Sequence, residues 1–297
     1  MMKNWGGHVG VALLWILAQL PDRLSIALGK ALGRLSQKFL KKRAFIAKRN
    51  IERCFPELSL QEQEILFKKN AEYLGVGIIS GAIAWFGRSK RVARYIGNVQ
   101  GLHHLEGAFA KGKGVILLSA HFYTAELAGR LMSLLTSELL SCLHRRQTDP
   151  VFEALIQKKR RQYFDSVIMR ANVKEMLRSL KNNQGIFYMP DQNFEEEHSM
   201  FLPFFGISTL SLTATSRFAQ ISGCVVLPIF AYFRENTFVM DIEIHPPLTP
   251  FPSGDVMKDT LAINQLLEAE IKKHPEQYLW IHRRFKATVE NGKGFYE

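Results

Sequence analysis

Apolar positions fall into different patterns along the chain. Near the N-terminus, Val9 to Leu20 ("VGVALLWILAQL") is a continuous apolar run that follows Trp5 and stops at Pro21. Counted from Trp5 it is 16 residues, short of the ~20 that a bilayer-spanning helix needs. The next stretch, "RLSIALGKALGRLSQKFLKK", spaces Leu24, Ile26, Leu28, Leu32, Leu35 and Leu40 among Lys and Arg. That spacing predicts a basic amphipathic helix. A third stretch, "LSLQEQEILFKKNAEYLGVGIISGAIAWF", places Ser59 and Glu62 as a capping box before a long apolar-periodic run. Residues 1–100 therefore read as mostly helical.

Beyond residue 110 the pattern changes. Short continuous apolar runs at 114–120, 185–189 and 224–230 have the form of strands buried on both faces. Helical periodicity occupies 122–136, 150–163, 172–181 and 212–222. A strand at 237–244 is expected to pair antiparallel with its predecessor, and a helix at 258–273 with a strand at 278–281 to close the domain. The fold class is α/β: a mixed, mostly parallel sheet flanked by helices, with N-terminal membrane-associated helices. The expected division is 1–45, an N-terminal anchor of basic amphipathic helices, and 46–297, a catalytic domain.

Charge sharpens this picture. The net charge is +12, and residues 1–50 hold ten Lys/Arg against one acid, Asp22. An anionic partner follows. Because the excess lies beside the apolar N-terminus, a membrane surface fits better than nucleic acid. No small-residue cleavage site follows the apolar run, so an uncleaved anchor or interfacial helix is expected rather than a removed signal. Cys54, Cys142 and Cys224 lack metal or disulfide spacing.

The candidate chemistry centres on "GVILLSAHFYTAELAGRLMSLL". His121 and Glu126 form an H-x4-E spacing, and His144 and Asp149 form an H-x4-D. With nine histidines and 27 acids in 297 residues, about one such spacing arises by chance, so context decides. His121 sits where a buried strand passes into a helix, which is where open α/β sheets bind ligands. From that turn Glu126 could accept from one ring nitrogen and raise the basicity of the other. His144 lacks such a junction, and Arg145 and Arg146 beside it suggest an anion site.

"YMPDQNF" puts Asp191, Gln192 and Asn193 after another buried run. It reads as a substrate-positioning loop or a strand-ending turn. "MFLPFFG" reads as an acyl-chain channel or plain core, and "PEQYLWIHRRFK" collects Arg283, Arg284 and Lys286 around Phe285. No G-x-S-x-G elbow, Walker loop or G-x-G-x-x-G is present, and His103–His104 has no ligand cluster at metal spacing, so no metal is expected. What remains suits acyl transfer to a hydroxyl of an anionic lipid with His121 as general base. A thioesterase using the same dyad, an acyltransferase with another glycolipid or lysophospholipid acceptor, and a non-enzymatic lipid- or nucleic-acid-binding protein are the alternatives.

From about Trp5 to Lys286 the chain resembles the late acyltransferases of lipid A biosynthesis, within the wider lysophospholipid and glycerol-3-phosphate acyltransferase superfamily. The H-x4-[D/E] motif is matched by His121 and Glu126. "LHRRQTDP" matches a family block through Arg145 and Pro150 but departs at His144, Arg146 and Asp149. Arg160 and Arg170 match family arginines. The Asp-x-Asp block appears as Asp191-Gln192-Asn193, and "FAQ" carries Gln220 in place of an Arg. "LPFFG", "PEQYLWIHRRFK" and "RNIERCFPELS", the last through Asn50, Phe55 and Pro56, also match.

The resemblance implies an acyl carrier protein thioester as donor and co-substrate, no further cofactor, and an anionic lipid A precursor as acceptor. It implies a site on the cytoplasmic face of the bacterial inner membrane. His121 and Glu126 would be catalytic, and Arg145, Arg160, Arg170, Asp191, Asn193, Arg283 and Arg284 would bind substrate.

Overall fold

The computed structural model describes residues 5–193, 196–290 and 293–297. Four helices come first: α1 (Trp5–Gln19), α2 (Asp22–Phe39), α3 (Lys41–Cys54) and α4 (Leu60–Phe86). The short α5 (Ser89–Val92) leads into β1 (Ile96–Gln100), α6 (Leu102–Phe109), β2 (Val115–Leu118) and α7 (Ala125–Leu135). Then follow β3 (Leu140–His144), α8 (Pro150–Arg160), β4 (Ser166–Met169), α9 (Val173–Lys181) and β5 (Gly185–Tyr188). The chain continues through β6 (Ser199–Phe204), β7 (Ile207–Leu212), α10 (Ala214–Ser222), β8 (Val225–Phe233), β9 (Met240–Ile244) and α11 (Val256–Lys273).

Seven strands form one sheet in the order β1-β9-β8-β2-β5-β3-β4. β2, β3, β4, β5 and β8 run parallel, and β9 lies antiparallel to β8, as its alternating pattern predicts. The four residues of β2 are all buried, which is what an uninterrupted apolar run between two strands requires. Alternate side chains feed two cores. One holds Ile116, Leu118, Ile186 and Tyr188 under α9, α10 and α11; the other holds Val115, Leu117, Leu127 and Leu131 beneath α4, α6 and α7.

The expected strand at 278–281 is absent. β2 already has neighbours on both edges, so this segment instead meets the loop after β2 through one antiparallel bridge, Phe122 to Tyr278. Tyr123 N–H donates to the Gln277 carbonyl, and Leu279 N–H to that of His121, each at 2.9 Å. The clamp delays α7 to Ala125, three residues past the expected start. Asn50 Nδ2 donates to the carbonyls of Trp280 (2.7 Å) and His282 (2.9 Å), and Asn70 Nδ2 to that of Tyr278 (2.7 Å), fixing the clamp to α3 and α4.

The Ser59–Glu62 capping box opens α4 as expected. α2 lies backbone against backbone on α4: a Cβ on Gly75 would fall 1.9 Å from the Gly29 carbonyl oxygen. Burying that narrow glycine face leaves Leu24, Leu35 and Phe39 exposed, and Trp5, Val9, Leu13, Trp15 and Ile16 of α1 are exposed as well. Among the described residues, no helix is long and apolar enough to cross a membrane.

Candidate active site

The register of the sheet assembles the site. Leu118 at the end of β2 pairs with Tyr188 at the end of β5. Three residues past each lie His121 and Asp191, and they meet. His121 Nδ1 is 2.7 Å from Asp191 Oδ1, while Asp191 Oδ2 accepts from the His121 backbone N–H (3.0 Å) and from the Tyr278 hydroxyl (2.8 Å). Burial alone would raise the Asp191 carboxyl, but the adjacent His121 and these hydrogen bonds bring it down to about 2. A buried carboxylate thus orients the ring in the tautomer that carries Nδ1–H. His121 lines the main pocket, and its Nε2 makes no hydrogen bond to a described residue, so its lone pair can take a proton.

Glu126 does not hold the place expected of it. It starts α7, turned toward α4 and α8 rather than back to the His121 turn. Oε1 accepts from Trp85 Nε1 and the Tyr163 hydroxyl, both at 2.7 Å, and Oε2 pairs with Arg160 Nη2 at 2.5 Å. Burial raises its carboxyl, but Arg160 and the hydrogen bonds outweigh that and the net shift is downward. Burial likewise opposes the Arg160 cation, and Glu126 more than restores it. The partner of His121 is therefore Asp191, which the sequence reading assigned to substrate, and Glu126 fixes Arg160 at the pocket wall.

The pocket has a volume of about 490 Å³ and an apolar lining into which His121, Glu126, Arg145, Arg160 and Arg170 project. Asn193 and Arg283 are not among its lining residues. Asn193 N–H donates to His282 Nε2 at 3.1 Å, and Arg283 lies over the Tyr296 ring. Arg284 does not line the pocket either. It is 3% exposed, donates to the Leu210 carbonyl and Ser211 Oγ, and ties β7 to the C-terminal segment. "MFLPFFG" forms β6 and its turn and contributes core residues Leu202 and Phe204, not pocket lining. Phe194, at the end of "YMPDQNF", lies outside the described residues.

The second H-x4-D spacing has a different use. Asp149 caps α8, accepting from Val151 N–H at 2.8 Å, while buried His144 sets Nε2 2.9 Å from both oxygens of Glu153. Glu243, His245 and Glu270 converge within 4.8 Å, but none lines the pocket, and Lys273 Nζ already sits 2.9 Å from both carboxylates. Sequence reasoning missed Tyr278, Trp85 and Tyr163. The usable signal was the equal offset of His121 and Asp191 from two buried strand ends, readable only once those strands are known to be neighbours.

The family model for bacterial lipid A biosynthesis acyltransferases matches residues 1–287. A lipid A biosynthesis lauroyltransferase of Escherichia coli (strain K12) is 32% identical over 289 residues, covering 97% of this chain and 94% of its own. A lipid A biosynthesis palmitoleoyltransferase of the same strain is 31% identical over 295 residues, covering 99% and 95%. The crystal structure of a 1-acyl-sn-glycerophosphate acyltransferase from Thermotoga maritima aligns over 90% of this chain and 97% of its own, at 13% identity and a TM-score of 0.39.

Proposed function

The chain belongs to the bacterial lipid A biosynthesis acyltransferase family, and from that premise we propose that it moves a fatty acyl chain from an acyl carrier protein thioester to the hydroxyl of a 3-hydroxyacyl chain on a lipid A precursor. The observation that carries this reading is the His121–Asp191 pair, with His121 lining a largely apolar pocket that Arg145, Arg160 and Arg170 also line. His121 Nε2 removes the hydroxyl proton as the oxygen attacks the thioester carbonyl. The imidazolium that results is held by the Asp191 carboxylate. When the C–S bond breaks, that proton passes to the departing carrier thiol, so an ester and a free thiol form and His121 returns to its starting state. No acyl-enzyme is needed, and the thioester supplies the acyl group without a resident cofactor. Arg160, kept charged and in place by Glu126, is the cation at the pocket wall suited to the developing oxyanion, and Arg145 and Arg170 border the same space for phosphate.

The enzyme works from the membrane surface. Trp5 (69% exposed) and Trp15 (53%) extend from the apolar α1, and Phe39 (76%) from α2, which carries Arg23, Lys30, Arg34 and Lys38; exposed rings next to a basic helix suit an anionic membrane surface. At 15 residues α1 is about 22 Å long, so it lies in the interface. Lipid A biosynthesis belongs to a membrane-associated process, and a carrier-protein donor puts this protein on the cytoplasmic face of the inner membrane.

The test is acyl transfer from a carrier-protein thioester to a tetraacyl lipid A precursor, read by mass spectrometry. A gain of one acyl mass that His121→Ala abolishes is expected. Release of free fatty acid with no acylated lipid would make the protein a thioesterase and sink the proposal.

A further inference from the structure

The pocket crosses the carboxyl edge of the sheet and dips into both of its faces. Met176, Leu212 and Phe218 line it on the α9–α10 face; Gly129, Met132, Phe164 and Phe187 line it on the α7 face. His121 stands between the two lobes. The lobes differ in their ends. The α9–α10 lobe reaches the surface at Ile221 (61% exposed) and Val173 (43%), with the exposed cation Arg217 on its rim. The α7 lobe ends against Phe164, a ring that is 7% exposed and wedged between Tyr163 and Phe187.

Phe164 is also a partition. It lines a second, polar hollow of about 420 Å³ formed with Ser133, Thr136, Glu138 and Asp165. One aromatic ring therefore separates an apolar dead end from a hydrophilic cleft. Its fit is close: a Cβ on Gly129 would lie 2.9 Å from Phe164 Cζ, so the absence of a side chain there admits the ring.

We infer that Phe164 is the floor of the donor's acyl lobe and sets the length of the chain transferred. The inference rests on the acyl-transfer reading above. An anionic acceptor brings its phosphates with its chain, and the lobe with a cationic rim suits it. The residues that line the α7 lobe toward its end, Gly129, Met132, Phe164 and Phe187, are all uncharged, which suits that lobe to the hydrocarbon of the donor. A chain shorter than the lobe leaves apolar wall without contact, and a longer one meets the ring. Each buried methylene changes binding roughly fourfold.

The experiment is a competition. Wild type, Phe164→Ala, Phe164→Leu and Met132→Phe are each given an equimolar ladder of carrier-protein thioesters from decanoyl to stearoyl and one acceptor lipid. The chain distribution in the product is read by mass spectrometry, and being a ratio within one sample it does not depend on how much of a variant folds. Phe164→Ala should raise the share of the homologue two carbons longer by about fifteenfold, Phe164→Leu by less, and Met132→Phe should shift the distribution to shorter chains. An unchanged distribution in the Phe164 variants overturns the inference. So does a change in the preferred acceptor at constant donor profile, which would put the acceptor chain in this lobe. If both Phe164 variants yield no product, an unchanged Met132→Phe distribution overturns it as well. Failure of wild type to acylate the lipid from any thioester would instead remove the acyl-transfer reading itself.

Discussion

Asp191→Asn removes one charge from the site with the least change of shape, and it separates the observed pair from the sequence motif. The Asp191 oxygen is 2.7 Å from His121 Nδ1 and the carboxylate is fully buried. As His121 takes the substrate proton, a full positive charge appears with its centre about 4 Å from the carboxylate; at an effective dielectric of ~20 their attraction is about 4 kcal/mol. Losing it should lower kcat about 10³-fold and leave KM for either substrate nearly unchanged, because the carboxylate faces the ring and not the ligand. The assay is single-turnover acyl transfer with folding checked by circular dichroism. Glu126→Gln is the contrast. Its amide oxygen can still accept from Trp85 and Tyr163, but Arg160 loses its anion, so the cost arises at Arg160. On a His121→Ala background Asp191→Asn should then cost nothing further, whereas Glu126→Gln should keep its penalty. A folded Asp191→Asn enzyme with kcat within about threefold of wild type would refute the assignment of Asp191 as the orienting carboxylate.

Tyr278→Phe deletes a hydrogen bond to the Asp191 carboxylate, worth about 1.5 kcal/mol, and kcat should fall about tenfold; no change would mean that the His121 backbone N–H alone positions Asp191. Burial depresses His282 from 6.5 to about 4, so below 6.5 the unfolded chain takes a proton that the folded one refuses. Stability is therefore lost as pH falls from 6.5 toward 4, by about 2 kcal/mol after discounting the part of the ring that meets solvent. In urea titrations His282→Gln, whose amide oxygen can still accept from Asn193 N–H, should flatten that slope, and an unaltered slope would exclude His282 as its source. Leu13 and Ile16 of α1 are 55% and 50% exposed; replacing both by Ser removes about 1 kcal/mol each of lipid contact and should weaken binding to anionic vesicles about thirtyfold, while equal binding would place the docking surface elsewhere.

How much of this could be read from residues alone depended on whether a feature is local. The Ser59–Glu62 cap, the buried run of β2 and the antiparallel return of β9 are set by neighbours within a few positions, and each stands where the pattern placed it. β3 and β4 were not legible. "LSCLH" and "SVIM" are short and interrupted by polar residues, and Ser141 is buried only because β5 and Gln184 lie beside it. The C-terminal "QYLW" has strand composition, but strand pairing needs a free edge and β2 has none.

The active site shows the same division in sharper form. The H-x4-E spacing put His121 at a strand-to-helix junction, where it stands beside the pocket, because that junction is local; it gave the ring a different partner from the one observed, since a fixed offset along the chain says nothing about which way the first turn of α7 faces. Glu126 looks toward Trp85, Tyr163 and Arg160, residues 41, 37 and 34 positions away. His121 finds its carboxylate 70 positions on, through the register of two parallel strands. The motif is thus two devices sharing one helix start: a histidine held by Asp191 from across the sheet, and a glutamate that anchors an arginine from α8. A substitution at Glu126 that silences the enzyme would not identify it as the partner of His121, because the same substitution removes the anchor of Arg160.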